Sequence, residues 1–337
     1  MAFLQEVFHR FRGHFGTWNE TADSGPNCAG MLSDAIEYVV DKTFPRLRAI
    51  PGYARRLKSP VATTFRHIDE LAEGIPALFP CSQESFHSDP RVRAFFVNPQ
   101  HMREVFSQSQ EVRDLFEAHP HSAECCVLLC VHKEEKQTLG TALVGDTLRR
   151  EVLQTAVNFV GHRVYAPGID EADARQALKC CIFNALLAHI KQSGNNAKRR
   201  VLDLENRLRM LRSELPESRW SEDTDTRDTP IAMQIREIES SLAQTDLRFL
   251  TLEDYLHFAC NILNNPGRFI SSSVVHLRLD QMSIKVDDPE APGKDLFVSE
   301  ILITSQEPRI AALVRFPRSE LLPQSEITAK SVLFLHG

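Results

Sequence analysis

The chain has 337 residues, 42% of them hydrophobic and 25% charged, which is the make-up of a folded soluble protein of one or two domains and not of a disordered, collagen-like or membrane-embedded one. With 39 Lys plus Arg against 45 Asp plus Glu, the net charge of -6 excludes a uniformly basic surface for nucleic acid and leaves only local patches. Eight cysteines are too sparse for a disulfide scaffold, and the neighbours Cys125/Cys126 and Cys180/Cys181 cannot bridge without strain, so all read as reduced thiols of a cytoplasmic protein.

Residues 1–12 hold no apolar run of signal-peptide length, and no window reaches the ~18 uncharged apolar residues of a membrane span. Phe3, Leu4, Val7, Phe8, Phe11 and Phe15 fall on one side of a helix, with Glu6, His9, Arg10 and Arg12 largely opposite. This is expected to be a core-docked helix; peripheral membrane contact through it is not favoured, because two arginines offer little to anionic lipid.

Short helices punctuated by Pro and Gly follow, at 32–44, 61–72, 90–97 and 99–118. The pattern then turns β-rich, with strands expected at 125–132, 138–144 and 156–165 and a polar turn at 133–137. A second β-rich stretch is expected at 274–286, 296–304 and 310–316.

Between the two β-rich stretches lies a helical insertion. Val201, Leu204, Leu208, Leu211 and Leu215 are spaced 3, 4, 3 and 4, the seam of a coiled coil, and Ile231, Ile235, Ile238 and Leu242 repeat 4, 3 and 4 beyond a polar loop. Folding the chain back at Asp223 sets Leu215 on Ile231, Leu211 on Ile235, Leu208 on Ile238 and Leu204 on Leu242, and the same register sets Arg209 opposite Glu237, Arg207 opposite Glu239 and Arg200 opposite Asp246. Pro216 and Pro230 bound the tip, where the first arm stops and the second starts. The expected fold class is therefore α+β: a mainly helical region at 1–120, a β-rich body from 121–190 and 251–337, and an inserted antiparallel coiled-coil hairpin at 191–250.

His119, His121, Cys125, Cys126, Cys130 and His132 are the densest set of potential metal ligands, but without a Cys-x-x-Cys spacing they read as a strand buried on both faces with cysteine as a small hydrophobe. No metal and no cofactor is assigned. The phosphate-cradling glycine motifs, the His-Glu-x-x-His pair and the Gly-x-Ser-x-Gly elbow are all absent. His162, Arg163, Asp146, Glu300 and His276 could serve acid–base work only if the fold gathered them, and no catalytic residue is assigned. Asp280, Asp287, Asp288, Glu290 and Lys294 read as turn material around Pro289 and Pro292.

Two basic groupings could touch phosphate: Arg46, Arg48, Arg55, Arg56 and Lys58, and, with Lys191, the run Lys198, Arg199 and Arg200 at the hairpin base. At the hairpin tip, Trp220 beside Glu222, Asp223 and Asp225 is the candidate for contact with a protein partner. These features point first to a non-enzymatic interaction or scaffold protein whose hairpin binds another protein or a second copy. The alternatives are an enzyme acting on phosphodiesters or nucleic acid from the β-rich body, and nucleic-acid binding at the basic hairpin base.

Overall fold

The computed structural model describes residues 26–76, 78–144, 147–214, 230–244, 251–280, 282–286, 292–304 and 307–326. The aromatic segment from Phe3 to Phe15 lies outside them. In chain order the elements are α1 (Pro26–Lys42), α2 (Tyr53–Glu73), β1 (Phe79–Pro80), α3 (Gln83–Ser88), α4 (Pro90–Phe95), α5 (Pro99–Gln108), α6 (Gln110–Ala118), β2 (Glu124–Val144), β3 (Thr147–Gly168), α7 (Glu171–Glu214), α8 (Pro230–Gln244), α9 (Leu252–Asn264), β4 (Ile270–Leu279), β5 (Lys294–Ile303) and β6 (Arg309–Pro317). The protein is α+β, and none of the described helices is long and apolar enough to cross a membrane. It divides into two compact units, one built on Arg66–Phe183 and Gly267–Gly337, the other on Ser24–Phe65 and Asn184–Pro266.

In the first unit, local chemistry cuts the segment before the sheet into four short helices. Ser82 caps α3 with a capping box, Asp89 caps α4 ahead of Pro90, Asn98 caps α5 ahead of Pro99, and Ser109 caps α6. The single helix expected over 99–118 is therefore two, because Ser109 leaves the helical conformation to accept a hydrogen bond from the Val112 amide.

The strands run β3-β2-β6-β5-β4, each neighbour antiparallel, with β1 added parallel to β6. β2 is one strand through residues 133–137, where the sequence suggested a turn. That stretch, Lys-Glu-Glu-Lys-Gln, contains no Gly, Pro, Asn or Asp to bend it, and its ladder to β3 continues from Lys133 with Phe159 to Gln137 with Thr155. Its charges pair two residues apart along each face, Lys133 with Glu135 at 3.1 Å and Lys136 with Glu134 at 3.0 Å.

β4 stops at Leu279 instead of running on to 286. The Asp280 carboxylate accepts the amides of Met282 and Ile284, both at 2.8 Å, and Ser283 takes the left-handed conformation (φ 61°) that completes the reversal. The returning segment then bonds on both sides. Val286 N–H donates to Arg278 O at 2.9 Å, Val157 N–H donates to Ser283 O at 2.9 Å, and Lys285 N–H donates to Thr155 O at 2.8 Å. The sheet thus curls until segment 282–286 stitches β4 to β3, the opposite edge.

The inner face carries Cys125, Val127, Leu129 and Val131 of β2 with Val157, Phe159, Leu277, Leu279, Leu296, Val298, Ile310, Ala312, Val314 and Phe316, packed against Val92, Phe95 and Phe96, Met102 and Phe106, and Val112 and Phe116 from α4, α5 and α6. Cys126, Leu128 and Cys130 alternate to the other face and are also buried, so β2 is covered on both sides as its apolar run implies. On that second face the start of α7 joins the end of α2 through a buried ion pair, Lys179 to Asp69 at 2.8 Å, and Arg175 donates to the carbonyls of Ala72 and Ile75.

The second unit is helical. α2 begins at Tyr53 and runs through Pro60, earlier than the start expected at 61. Proline there deprives the Arg56 carbonyl of its helical donor, and the Cys260 thiol of α9 donates to that carbonyl at 3.9 Å instead. Thr64 Oγ1 bonds the carbonyls of Pro60 (3.0 Å) and Leu263 (2.7 Å). α7 and α9 approach closely at Gly194, where a Cβ would sit 2.3 Å from the Tyr255 ring. Tyr255 is itself buried and packs on Phe44 at 4.8 Å.

Two stability outcomes follow from these contacts. Lys179→Ala leaves the Asp69 carboxylate buried without its partner and is expected to cost about 3 kcal/mol in chemical denaturation, with part recovered in the Asp69→Ala/Lys179→Ala double variant. Gly194→Ala gains up to ~1 kcal/mol of helix propensity but overpacks against Tyr255, for a net loss of about 1–2 kcal/mol by the same measurement.

Candidate functional site

Within the helical unit, the residues of the expected seam on α7 and α8 are graded by exposure. Val201 and Ile238 are buried; Leu204, Leu208, Leu211, Ile231 and Ile235 are half-buried; and Leu202, Met210 and Met233, off the seam, are 46%, 67% and 61% exposed. Arg212 donates to Glu239 at 2.8 Å, five residues along α7 from the Arg207 that the folded-back register set opposite that carboxylate. Both partners are about half exposed, so this pair stabilises weakly and does not dictate the register. Trp220, Glu222, Asp223 and Asp225, together with Leu215 and the Leu242 side chain, lie outside the described residues.

Lys198, Arg199 and Arg200 are all exposed on α7. Consecutive helical residues point about 100° apart, so the three fan around the helix rather than lining one face. The other basic grouping is interrupted by acids: Arg48 holds Glu37 at 2.8 Å and Asp41 at 2.7 Å, and Arg56 pairs with Glu253.

The fold does not gather the acid–base set. His162 faces inward from β3: its Nε2–H donates to the Phe95 carbonyl at 2.6 Å, and its ring packs on Phe96 at 5.2 Å and edge-on to His101 at 4.9 Å. His276 sits on the outer face of β4, bonded to Asp295 at 2.7 Å and stacked on Phe297 at 4.7 Å. Arg163 alternates away from His162 and is exposed, Glu300 is half-buried on β5, and Asp146 lies outside the described residues.

The cysteine–histidine cluster separates in the same way. His119 and His121 are exposed, whereas Cys125, Cys126 and Cys130 are buried, and burial pushes their thiols up to about 12, 11 and 12. Cys180 and Cys181 on α7 are pushed to about 12 by the same cause. Zinc needs converging thiolates, and among the described residues no three potential ligands come together.

One feature escaped the sequence reading because its two halves lie almost 200 residues apart: a cleft of about 270 Å³ in the sheet unit. Pro90, Arg91, Arg93 and Ala94 of α4 form one wall; Leu279, Asp280, Ser283, Pro292, Gly293, Lys294, Asp295 and Leu296 form the other. Its acids are engaged. Asp280 holds the turn amides, and Asp295 accepts from His276 and from Arg278, with the His276 bond the chief cause of its lowered pKa. Asp89 behind the α4 wall is bound by Arg91 at 2.7 Å; burial alone would raise its carboxyl, but the Arg91 hydrogen bonds outweigh burial and the pKa falls. Arg93 and Lys294, both exposed, have no carboxylate within ion-pair distance among the described residues.

The paired imidazoles tie stability to pH. Burial is the largest influence on both His101 and His162 and lowers both from 6.5, with Glu104 opposing it at the first, and the Phe95 carbonyl opposing and His101 reinforcing it at the second. At His101 the neutral ring is also favoured by geometry, since its Nδ1 accepts the Val97 amide. A depressed folded-state pKa means the unfolded chain takes up protons first, so this contribution is complete above about 6.5 and is lost as pH falls through the folded values. Urea unfolding between pH 7 and 5 is therefore expected to show a loss of stability that is shallower in His162→Gln than in the unaltered protein.

The chain matches no protein-family model, no curated protein and no solved structure.

Proposed function

We propose that this is a non-enzymatic interaction protein whose helical hairpin, α7 folded against α8 as an antiparallel coiled coil, associates with a second copy of the same arm. The observation that carries the reading is the half-covered seam. Val201 and Ile238 are buried but Leu204, Leu208, Leu211, Ile231 and Ile235 stay partly in water, and a four-helix arrangement would cover them. Charge supports the same pairing: residues 198–212 carry six basic side chains against two acidic ones, and α8 carries Glu237 and Glu239 against Arg236, so a two-fold apposition sets a basic helix beside an acidic one. A cytoplasmic setting belongs to this reading, and the free thiols of Cys81, Cys125, Cys126, Cys130, Cys180, Cys181 and Cys260 suit a reducing compartment.

The experiment is analytical ultracentrifugation of the full chain across a concentration series. The unaltered protein should sediment as a concentration-dependent dimer, and Leu208→Glu/Leu211→Glu should weaken association by at least about tenfold. Met210→Glu, off the seam and 67% exposed, should leave it unchanged. Far-UV circular dichroism of each variant checks that the helices persist. A protein that stays monomeric throughout, or a seam variant that remains helical and associates as before, overturns the proposal.

A further inference from the structure

From the cleft between α4 and the β4–β5 connection we infer a binding site for a small organic phosphate monoester, with Arg93 and Lys294 taking the phosphate and the apolar lining taking its organic part. The cavity of about 270 Å³ has room for one compact ring or a short aliphatic group with its headgroup. Ala94, Pro90, Pro292, Leu279 and Leu296 supply the apolar surface, and the last two belong to the inner core, so that part of the cleft is rigid.

Electrostatics select the sign and the valence of the ligand. Four cations stand at or beside the cleft. Arg91 is committed to Asp89 by three hydrogen bonds and lies over the Phe79 ring at 4.7 Å, and Arg278 donates to Asp295. Arg93 and Lys294 remain, on opposite walls, neither within ion-pair distance of a carboxylate among the described residues, although Lys294 lies close enough to Asp89 to help lower its pKa. Two cations facing one cavity fit a dianion better than a monoanion, because each takes a separate oxygen; the guanidinium adds a forked donor and the ammonium a movable point charge. The geometry on the α4–β5 side is held from behind: a Cβ at Gly293 would lie 3.0 Å from the Arg278 side chain, so glycine lets this connection close on that arginine. Elsewhere in the unit, the open hollow of about 220 Å³ beside α6 shows the contrast. Arg113 and Arg318 line it, but they donate to the carbonyls of Ser107, Leu322, Ser122, Phe116 and His119 and have little left for a ligand.

The test is isothermal titration of the full-length protein with phenyl phosphate, alongside inorganic phosphate, benzoate and phenol. Phenyl phosphate should bind saturably. Inorganic phosphate, which lacks the apolar part, and benzoate, a monoanion, should each bind at least about tenfold more weakly, and phenol should give no saturable signal. Raising the salt should weaken binding. Arg93→Ser and Lys294→Ser should each reduce affinity at least about fivefold and the double variant should abolish it, while Lys191→Ser, an exposed cation on α7, should not. Both cleft cations are exposed, so the unliganded variants should keep the parent's thermal midpoint, which checks that any loss of binding is local. Absence of saturable phenyl phosphate binding, equal binding by the double variant, or equal affinity for phenol would overturn the assignment.

Discussion

The sheet unit depends on how its two edges meet. An antiparallel sheet left open presents two rows of unpaired amides and carbonyls, and this one joins them with a five-residue segment that returns from Asp280, pairs with β4 and donates and accepts across to β3. The reversal rests on one carboxylate: Asp280 gathers two amides that would otherwise point into the turn unpaired. Closure sets the curvature, and curvature allows α4, α5 and α6 to fill the inside with Phe95, Phe96, Phe106 and Phe116 rather than lie across a flat face. The phosphate cleft is a by-product of the same turn, since Ser283 and Asp280 on the stitch face Arg93 on α4.

Covering both faces of β2 explains the cysteines. A strand that must be apolar on both sides, against aromatic helices on one and α7 on the other, admits small hydrophobes at Cys125, Cys126 and Cys130, and the burial that stabilises them there also keeps the thiols protonated. Beyond Val131 the strand leaves β6, its pairing on that side ends, and its composition changes at once to Lys133, Glu134, Glu135 and Lys136. Charge of both signs along an uncovered edge discourages strand addition without giving the edge a net potential.

Residue patterns disclosed the parts of this fold that are local. The apolar run expected as a strand at 125–132 announced one buried on both faces, and Pro90 and Pro99 marked helix starts. Polarity at 133–137 suggests a turn although turn-forming residues are lacking, because a solvated ribbon and a loop share composition and differ only in whether a partner strand lies alongside. The split at Ser109 had a visible cause, a capping serine, masked by apolar periodicity that continues across it. The curl of the sheet and the cleft had no local signal. Both arise from pairing residues near 155 with residues near 285, and Arg93 with Lys294, across separations that a hydrophobic period cannot span.

What distinguishes the cleft is that two exposed cations line one cavity with an apolar floor, whereas several other arginines of the same unit are already engaged. Arg91 is bound by Asp89, Arg175 by Glu171 and two carbonyls, Arg103 by Glu320, Arg278 by Asp295, and Arg318 by three carbonyls. In a chain with 45 acids for 39 bases, finding an acid for a surface cation is easy, and an exposed pair forms at little cost. Among the described residues Arg93 and Lys294 form no ion pair, and across a cavity with an apolar floor they leave two exposed donors to attract an anion. The half-covered leucines and isoleucines of α7 and α8 lie in the other unit, so substitutions among them leave the core behind the cleft intact.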